Sequence, residues 1–202
     1  MSYRLQLDNI LTLLLGPKSC GKTSILFNHA VQELLSNSRN KVCFICPRRL
    51  EKVPPTLTDL PDDSTSLKNL SFHYLFSRKE LRQFLVEQLP KESPDLILID
   101  NLQHYFSDLP DLYLTIKILE HSLNFNRKRQ GRQCHVILAS QSSSLAPLNQ
   151  NTLSCLIPGR IVVSPLKVSP KIPGRCFSVQ GTEFNLFEDP RGEQNIRELT
   201  QL

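Results

Sequence analysis

Residues 16 to 23, Gly16-Pro17-Lys18-Ser19-Cys20-Gly21-Lys22-Thr23, fit the pattern of a glycine, any four residues, then Gly-Lys-Thr. A loop of this kind turns backbone N–H groups inward toward phosphate oxygens. Lys22 adds a point charge for β and γ phosphates, and the Thr23 hydroxyl is a ligand for Mg²⁺. With Ser24 next in the chain, the set calls for ATP and Mg²⁺ as the bound group. A second chemical residue is Asp100, which closes the apolar run "PDLILID" (94–100). Carboxyl ends of parallel strands line the ligand crevice, so Asp100 is expected where a Mg²⁺-bound water must be held. A third is Gln141, at the end of "CHVILASQ" (134–141), a position from which a polar side chain senses a γ-phosphate.

These residues need strands and helices to hold them, and the pattern supplies both. Leu11 to Leu15 reads as a fully buried strand and Ser24 to Leu35 as a helix whose N-terminus meets the phosphates. "KVCFI" (41–45) is a second strand, followed by a long loop, 47–66, that carries Pro47, Pro54, Pro55 and Pro61. "LSFHYL" (70–75) is a short strand. "SRKELRQFLVEQL" (77–89) opens with Ser77 and Glu80 in capping-box spacing and sets Leu81, Phe84, Leu85 and Leu89 on one face. Leu112, Ile116, Leu119 and Leu123 recur at helical spacing after Asp111, in a pattern that runs into "NRKRQGR" (126–132). Past Gln141, 159–168 and 174–188 read as strands, the latter a hairpin turning at Gln180-Gly181-Thr182. The fold class is therefore α/β: a doubly wound P-loop core with a mainly parallel sheet and a β-rich C-terminal end. One domain over 1–202 is expected, its core at about 10–145 and its C-terminal strands and hairpin at about 155–188.

Composition narrows the setting. No run of about 18 apolar residues exists, so no membrane partner is expected. The N-terminal "MSYRLQLDN" has the character of neither a signal peptide nor a transit peptide, which points to the cytosol or nucleus. The six cysteines read as reduced thiols; Cys43 and Cys46 form a CxxC inside a strand, and no second pair has zinc-ligand spacing. A net charge of +5 is a mild bias toward polyanions.

Two classes of P-loop protein compete. A small-molecule or nucleoside kinase needs an arginine-bearing lid after the Mg²⁺ aspartate, and no such segment is evident. A motor or recombinase-type domain needs a polar sensor at the end of the next strand, where Gln141 stands. Gly16 to Thr23, "LILID" and the strand ending in Gln141 resemble the RecA-type recombinase core. More narrowly, "LLLGPKSCGKTSILFNHA", the "RRL" after the second strand, and "FSRKELRQFLVEQL" before "PDLILIDNLQHYF", in a core with no preceding helical domain, resemble the small recombinase paralogues that partner SWIM-domain proteins in metazoan Shu-type complexes. The resemblance covers about residues 10–145. It implies a nuclear protein of homologous recombination DNA repair, partnered by a SWIM-domain protein and a strand-exchange recombinase, acting on single-stranded DNA.

Departures from an active RecA-type core bear on the fate of the nucleotide. Such enzymes place a water-activating glutamate at the end of the strand after the P-loop helix; here Pro47, Arg48 and Arg49 stand at that exit, and Asp100 is followed by Asn101. A missing general base removes roughly 10²- to 10⁴-fold of rate. Slow hydrolysis is expected, unless Glu51 folds back to replace it. The two loops that face DNA in RecA-like proteins correspond to 101–111 and 142–152, and neither holds a lysine or arginine. His104, Tyr105 and Phe106 in the first are either stacking candidates or equally the side chains of a packed loop. Arg127, Lys128, Arg129 and Arg132 are the compact basic candidate for DNA, with favourable charge at a helix C-terminus as the alternative. "FNHA" (Phe27–Ala30) matches a recombinase-docking tetrapeptide in letters, but its place on the P-loop helix points to core.

Overall fold

The computed structural model describes residues 5–56, 67–145, 153, 155–165, 175–180, 182–188 and 194–198. Nine strands form one sheet in the order β3-β2-β4-β5-β1-β6-β7-β8-β9, with β1 at Leu11–Gly16, β2 at Val42–Cys46, β3 at Leu70–Tyr74, β4 at Leu96–Ile99, β5 at His135–Gln141, β6 at Gly159–Pro165, β7 at Arg175–Val179, β8 at Thr182–Glu188 and β9 at Gln194–Glu198. The six strands from β3 to β6 pair in parallel, and β6 to β9 continue the sheet antiparallel.

The central strands are apolar on both faces because helices cover both. Leu14, Phe44, Leu98 and Ile137 face α1 (Lys22–Ser36), where Ile25, Leu26, Phe27 and Leu34 complete one core. Leu13, Leu15, Ile45 and Ile99 face the other way, against α2 (Arg78–Glu87), α3 (Leu89–Glu92) and α4 (Leu109–Gln130). The period of two sends Cys43 and Cys46 to opposite faces of the sheet, so the CxxC cannot grip one ion. Cys20, Cys43, Cys46 and Cys134 are buried free thiols, and Cys155 is exposed.

Local signals set the helix ends. Ser77 accepts from the Glu80 N–H at 3.2 Å while Glu80 accepts from the Phe76 N–H at 2.8 Å, closing the capping box at the start of α2. Asp108, not Asp111, caps α4 by accepting from the Asp111 N–H at 2.8 Å, and Gly131 ends that helix at φ 67°. The expected 77–89 helix is split: Pro90 falls in the first turn of a separate α3, since its ring has no N–H to continue a ladder. α1 begins two residues earlier than read, at Lys22. Strand β9 was not anticipated. Of the expected loops, 57–66 and 146–152 lie outside the described residues, as do 166–168 at the end of the expected sixth strand and Gly181 at the hairpin turn.

Phe27 is 3 % exposed and Ala30 wholly buried, so the tetrapeptide is core, with Phe27 6.2 Å from the Phe72 ring on edge strand β3. Phe27→Ala is expected to cost about 3–5 kcal/mol. Chemical denaturation followed by circular dichroism checks this, and unchanged stability would mean the face is not packed.

Candidate functional site

The loop between β1 and α1 is built by backbone conformations and close approach. Ser19 and Gly21 have φ of 58° and 81°. A Cβ at Gly16 would lie 2.6 Å from Cys20 Sγ and 2.8 Å from Val163 Cβ, so only glycine lets the loop leave the sheet here. Gly21 offers no side chain to cap α1, and the helix's own ladder begins with Ile25 N–H donating to the Gly21 carbonyl at 2.9 Å. The N–H groups of Lys22, Thr23 and Ser24 thus have no intrahelical partner, at the positive end of a helix dipole. Pro17, Lys18 and Ser19 are exposed along the rim of this loop.

Lys22 is buried, and its Nζ donates to the carbonyls of Gly16 at 3.1 Å and Pro17 at 2.6 Å, with Cys20 Sγ at 3.6 Å. The loop therefore supplies acceptors for its own ammonium. Thr23 Oγ1 donates to Asp100 Oδ2 at 2.6 Å. Asp100 is 2 % exposed, and its N–H donates to the Ile45 carbonyl at 2.8 Å, which fixes it at the carboxyl rim beside the exit of β2. Burial pushes its carboxyl above the ordinary range; the Thr23 hydroxyl, the Asn101 N–H at 2.8 Å and the Lys22 charge oppose that push. A buried carboxylate beside a threonine hydroxyl, short of compensating charge, fits a divalent cation, and the inward lysine and helix N-terminus fit phosphates. Gly16, Lys22, Thr23 and Asp100 are thus brought together as the sequence anticipates.

Gln141 pairs with Gly16 across the β1–β5 register, which places it beside the first residue of the loop, half-buried. A residue the sequence reading missed links it to Asp100. Gln103, in the short 3-10 turn Leu102–His104, accepts from Ser140 Oγ at 3.0 Å and from the Gln141 N–H at 3.2 Å, and donates to Asn101 Oδ1 at 3.2 Å. Asn101 itself sits at φ 52°, in the left-handed region that asparagine tolerates. The only sequence sign of Gln103 was an amide three residues past a strand-end aspartate.

Other expected contributors lie elsewhere. Tyr105 is 1 % exposed and donates its hydroxyl to the Leu75 carbonyl at 2.9 Å, and Phe106 packs against the core. Tyr105 thus takes the packed-loop alternative and Phe106 is partly buried; of the three only His104 is exposed, with Nε2 3.0 Å from the Phe76 carbonyl oxygen. Glu51 is exposed and lines a cavity with Phe27, Leu50, Phe72 and Tyr74, in which no residue of the phosphate loop takes part. Arg127, Lys128 and Arg129 occupy the last turn of α4, with Arg132 just beyond, 3.9 Å from Asp95. Asp95 precedes β4 and Asp100 follows it, so the basic run is at the opposite rim of the sheet from the phosphate loop.

A strand order in which β5 separates the phosphate-loop strand from the Asp100 strand, inside a mainly parallel sheet, defines a RecA-like P-loop fold. No family model and no curated protein sequence matches the chain. Solved structures do share its architecture. The flagellar accessory protein FlaH from Methanocaldococcus jannaschii is 11 % identical, with a TM-score of 0.59 over 95 % of this chain and 89 % of that one. The KaiC-like protein PH0186 from Pyrococcus horikoshii OT3 is 12 % identical, with a TM-score of 0.58 over 94 % and 89 %. No helix among the described residues is long and apolar enough to cross a membrane.

Asp100→Asn is expected to raise the thermal midpoint without nucleotide near neutral pH, while abolishing any Mg²⁺-dependent stabilisation. The folded-state carboxyl titrates above its unfolded value, so the folded form binds more protons in that window and stability falls as pH rises through it. The advantage of the variant should accordingly vanish at pH values below the ordinary carboxylate range. Thermal melts across pH, with and without Mg²⁺, check both halves.

Proposed function

We propose that this chain is a RecA-like nucleotide-binding accessory factor of homologous recombination that holds Mg²⁺-ATP and turns it over slowly. The observation that carries the slow turnover is an imbalance at the carboxyl rim. The phosphate loop, Lys22, Thr23 and Asp100 are assembled, while Pro47, Arg48 and Arg49 stand at the strand exit where a RecA-type core carries its glutamate. Glu80, on the same rim, is committed to the α2 capping box, and Glu51 turns to a different cavity. Arg48 and Arg49 are exposed at the strand exit where the glutamate is expected, and neither side chain can act as a general base there.

In this reading Gly16 to Ser24 hold the phosphates, Thr23 and Asp100 hold Mg²⁺, and Gln141 senses the γ-phosphate. The bound group supplies the charge and the phosphoryl bond; the chain's own residues orient it and pass its presence to the Gln103 turn. The resemblance of the motifs to Shu-type recombinase paralogues supports the rest: a nuclear location, a SWIM-domain partner and support of a strand-exchange recombinase on single-stranded DNA. Interaction, more than turnover, is the output.

Lys22→Ala is expected to weaken ATP binding roughly 10- to 150-fold, the equivalent of the ~1.5–3 kcal/mol of a hydrogen bond to a charged group. Nucleotide titration checks the cradle, and unchanged affinity overturns it. Single-turnover hydrolysis with and without single-stranded DNA is expected to stay slow, whereas rapid DNA-stimulated turnover would indicate a motor and phosphate transfer to small acceptors a kinase. Purification of the tagged protein is expected to bring down a SWIM-domain protein even from the Asp100→Asn variant.

The contact with DNA is assigned to Arg127, Lys128, Arg129 and Arg132. Each phosphate contact on a single strand contributes about 0.7 to the slope of log affinity against log salt. Replacing all four by Ala should flatten that slope by about two to three units with ATP binding unchanged. An unaltered slope would leave the run as a solvated helix end and pass DNA binding to the partner.

A further inference from the structure

The face of the sheet covered by α2, α3 and α4 gathers three donors of different softness. Cys43 comes from β2, His73 from β3 and Glu92 from the end of α3, and one ligand atom of each lies within 4.8 Å of the other two. His73 Nε2 is 3.1 Å from a Glu92 carboxylate oxygen. Register explains the meeting. Cys43 pairs with Ser71 and Ile45 with His73, so His73 projects to the same face as Cys43, one pair further along. Pro90 breaks the helical run and lets the short α3 bring Glu92 back over that face. The His73 ring packs 4.4 Å from the Phe84 ring, which fixes its plane, with Nε2 turned toward Glu92.

We propose that Cys43, His73 and Glu92 form a binding site for a zinc-class divalent cation. Thiolate, imidazole and carboxylate are the zinc donor set, and three protein ligands leave one coordination position for water. The site is also reachable. Cys43 is completely buried, whereas the His73 and Glu92 side chains keep 19 % and 33 % of their exposure, giving an entry path from solvent. The ion ties edge strand β3 to both β2 and α3, at the end of the sheet where β3 has a neighbour on one side only. It does not involve the CxxC, since Cys46 lies on the other face. Nor does it share residues with the nucleotide site, so each can fail without the other.

The test uses the full-length protein, stripped of metal with a chelator and titrated with Co²⁺, then with Zn²⁺ in competition. One equivalent of Co²⁺ should bind and give a thiolate-to-metal charge-transfer band, and Zn²⁺ should displace it and raise the thermal midpoint. Cys43→Ser should abolish the band. His73→Gln and Glu92→Gln, at partly exposed positions, should each weaken binding by at least about tenfold, since loss even of outer-shell partners costs that much. Cys46→Ser and Lys22→Ala should leave the band intact. Circular dichroism of each variant confirms that it is folded. Absence of a thiolate band in the wild type, its survival in Cys43→Ser, or unchanged affinity in both His73→Gln and Glu92→Gln overturns the site.

Discussion

The hydrogen bond from the Thr23 hydroxyl to the buried Asp100 carboxylate joins residues 77 apart in sequence, and the rest of the molecule is arranged so that it can form. Thr23 is placed by the exit of β1 and Asp100 by the exit of β4, yet these strands do not touch, because β5 lies between them. Their ends come level only if two parallel registers are both kept, Gly16 opposite Gln141 and Ile99 opposite Leu138. A slip of one residue in either would turn a leucine or isoleucine into the wrong core and carry Asp100 away from Thr23. Burial on both faces is what forbids the slip. Packing thus sets the distance between two polar groups that themselves contribute little to the fold.

The same buried carboxylate explains the polar chain that runs along the rim. Desolvation raises the cost of its charge, and the Thr23, Asn101 and Lys22 groups offset part of it. Its influence extends to Cys46, whose thiol is pushed up to about 12, first by burial and then by the Asp100 charge. Asn101 in turn accepts from Gln103, and Gln103 accepts from Ser140 and Gln141. Asp100, Asn101, Gln103 and the Ser140–Gln141 end of β5 thus form one hydrogen-bonded chain across the ends of β4 and β5. Gln103 is the joint: one side-chain amide serves both strands.

How much of this could be read in advance follows from the range of each interaction. The phosphate loop and the strands around it were legible because their signals are local: fixed glycine spacing, apolar runs and a capping box. Asp100 and Gln141 were legible because parallel strands put their carboxyl ends on one rim. Tyr105 was not, since its burial depends on the Leu75 carbonyl 30 residues away, and an aromatic in a polar loop has no pattern that announces such a partner. Cys43, His73 and Glu92 are likewise brought together by strand register and a proline break, with no periodic spacing between them. The CxxC was read as core thiols, and Cys43 and Cys46 are buried in opposite cores because a strand sends residues three apart to opposite faces.

α4 runs from the carboxyl rim of the sheet to the opposite rim, where its last turn carries Arg127, Lys128 and Arg129. Twenty-two helical residues span about 33 Å, several times the ~8 Å over which salt screens charges in solution. Lys22 and the basic run at Arg127–Arg132, at opposite rims of the sheet, are therefore screened from one another in solution. The near end of α4 is clamped to α2, where Arg82 donates to the Asp111 carbonyl at 2.9 Å and both Arg78 and Arg82 pair with the Asp111 carboxylate. Further along, Ser122 donates to the Leu85 carbonyl at 2.6 Å, so α2 and α4 are fastened at two levels and would shift together. The stretch from Asp100 through the Gln103 turn leads directly into Asp108, the cap of α4. The Asp108 cap and the clamp to α2 therefore hold the start of α4 against the rim that carries Asp100.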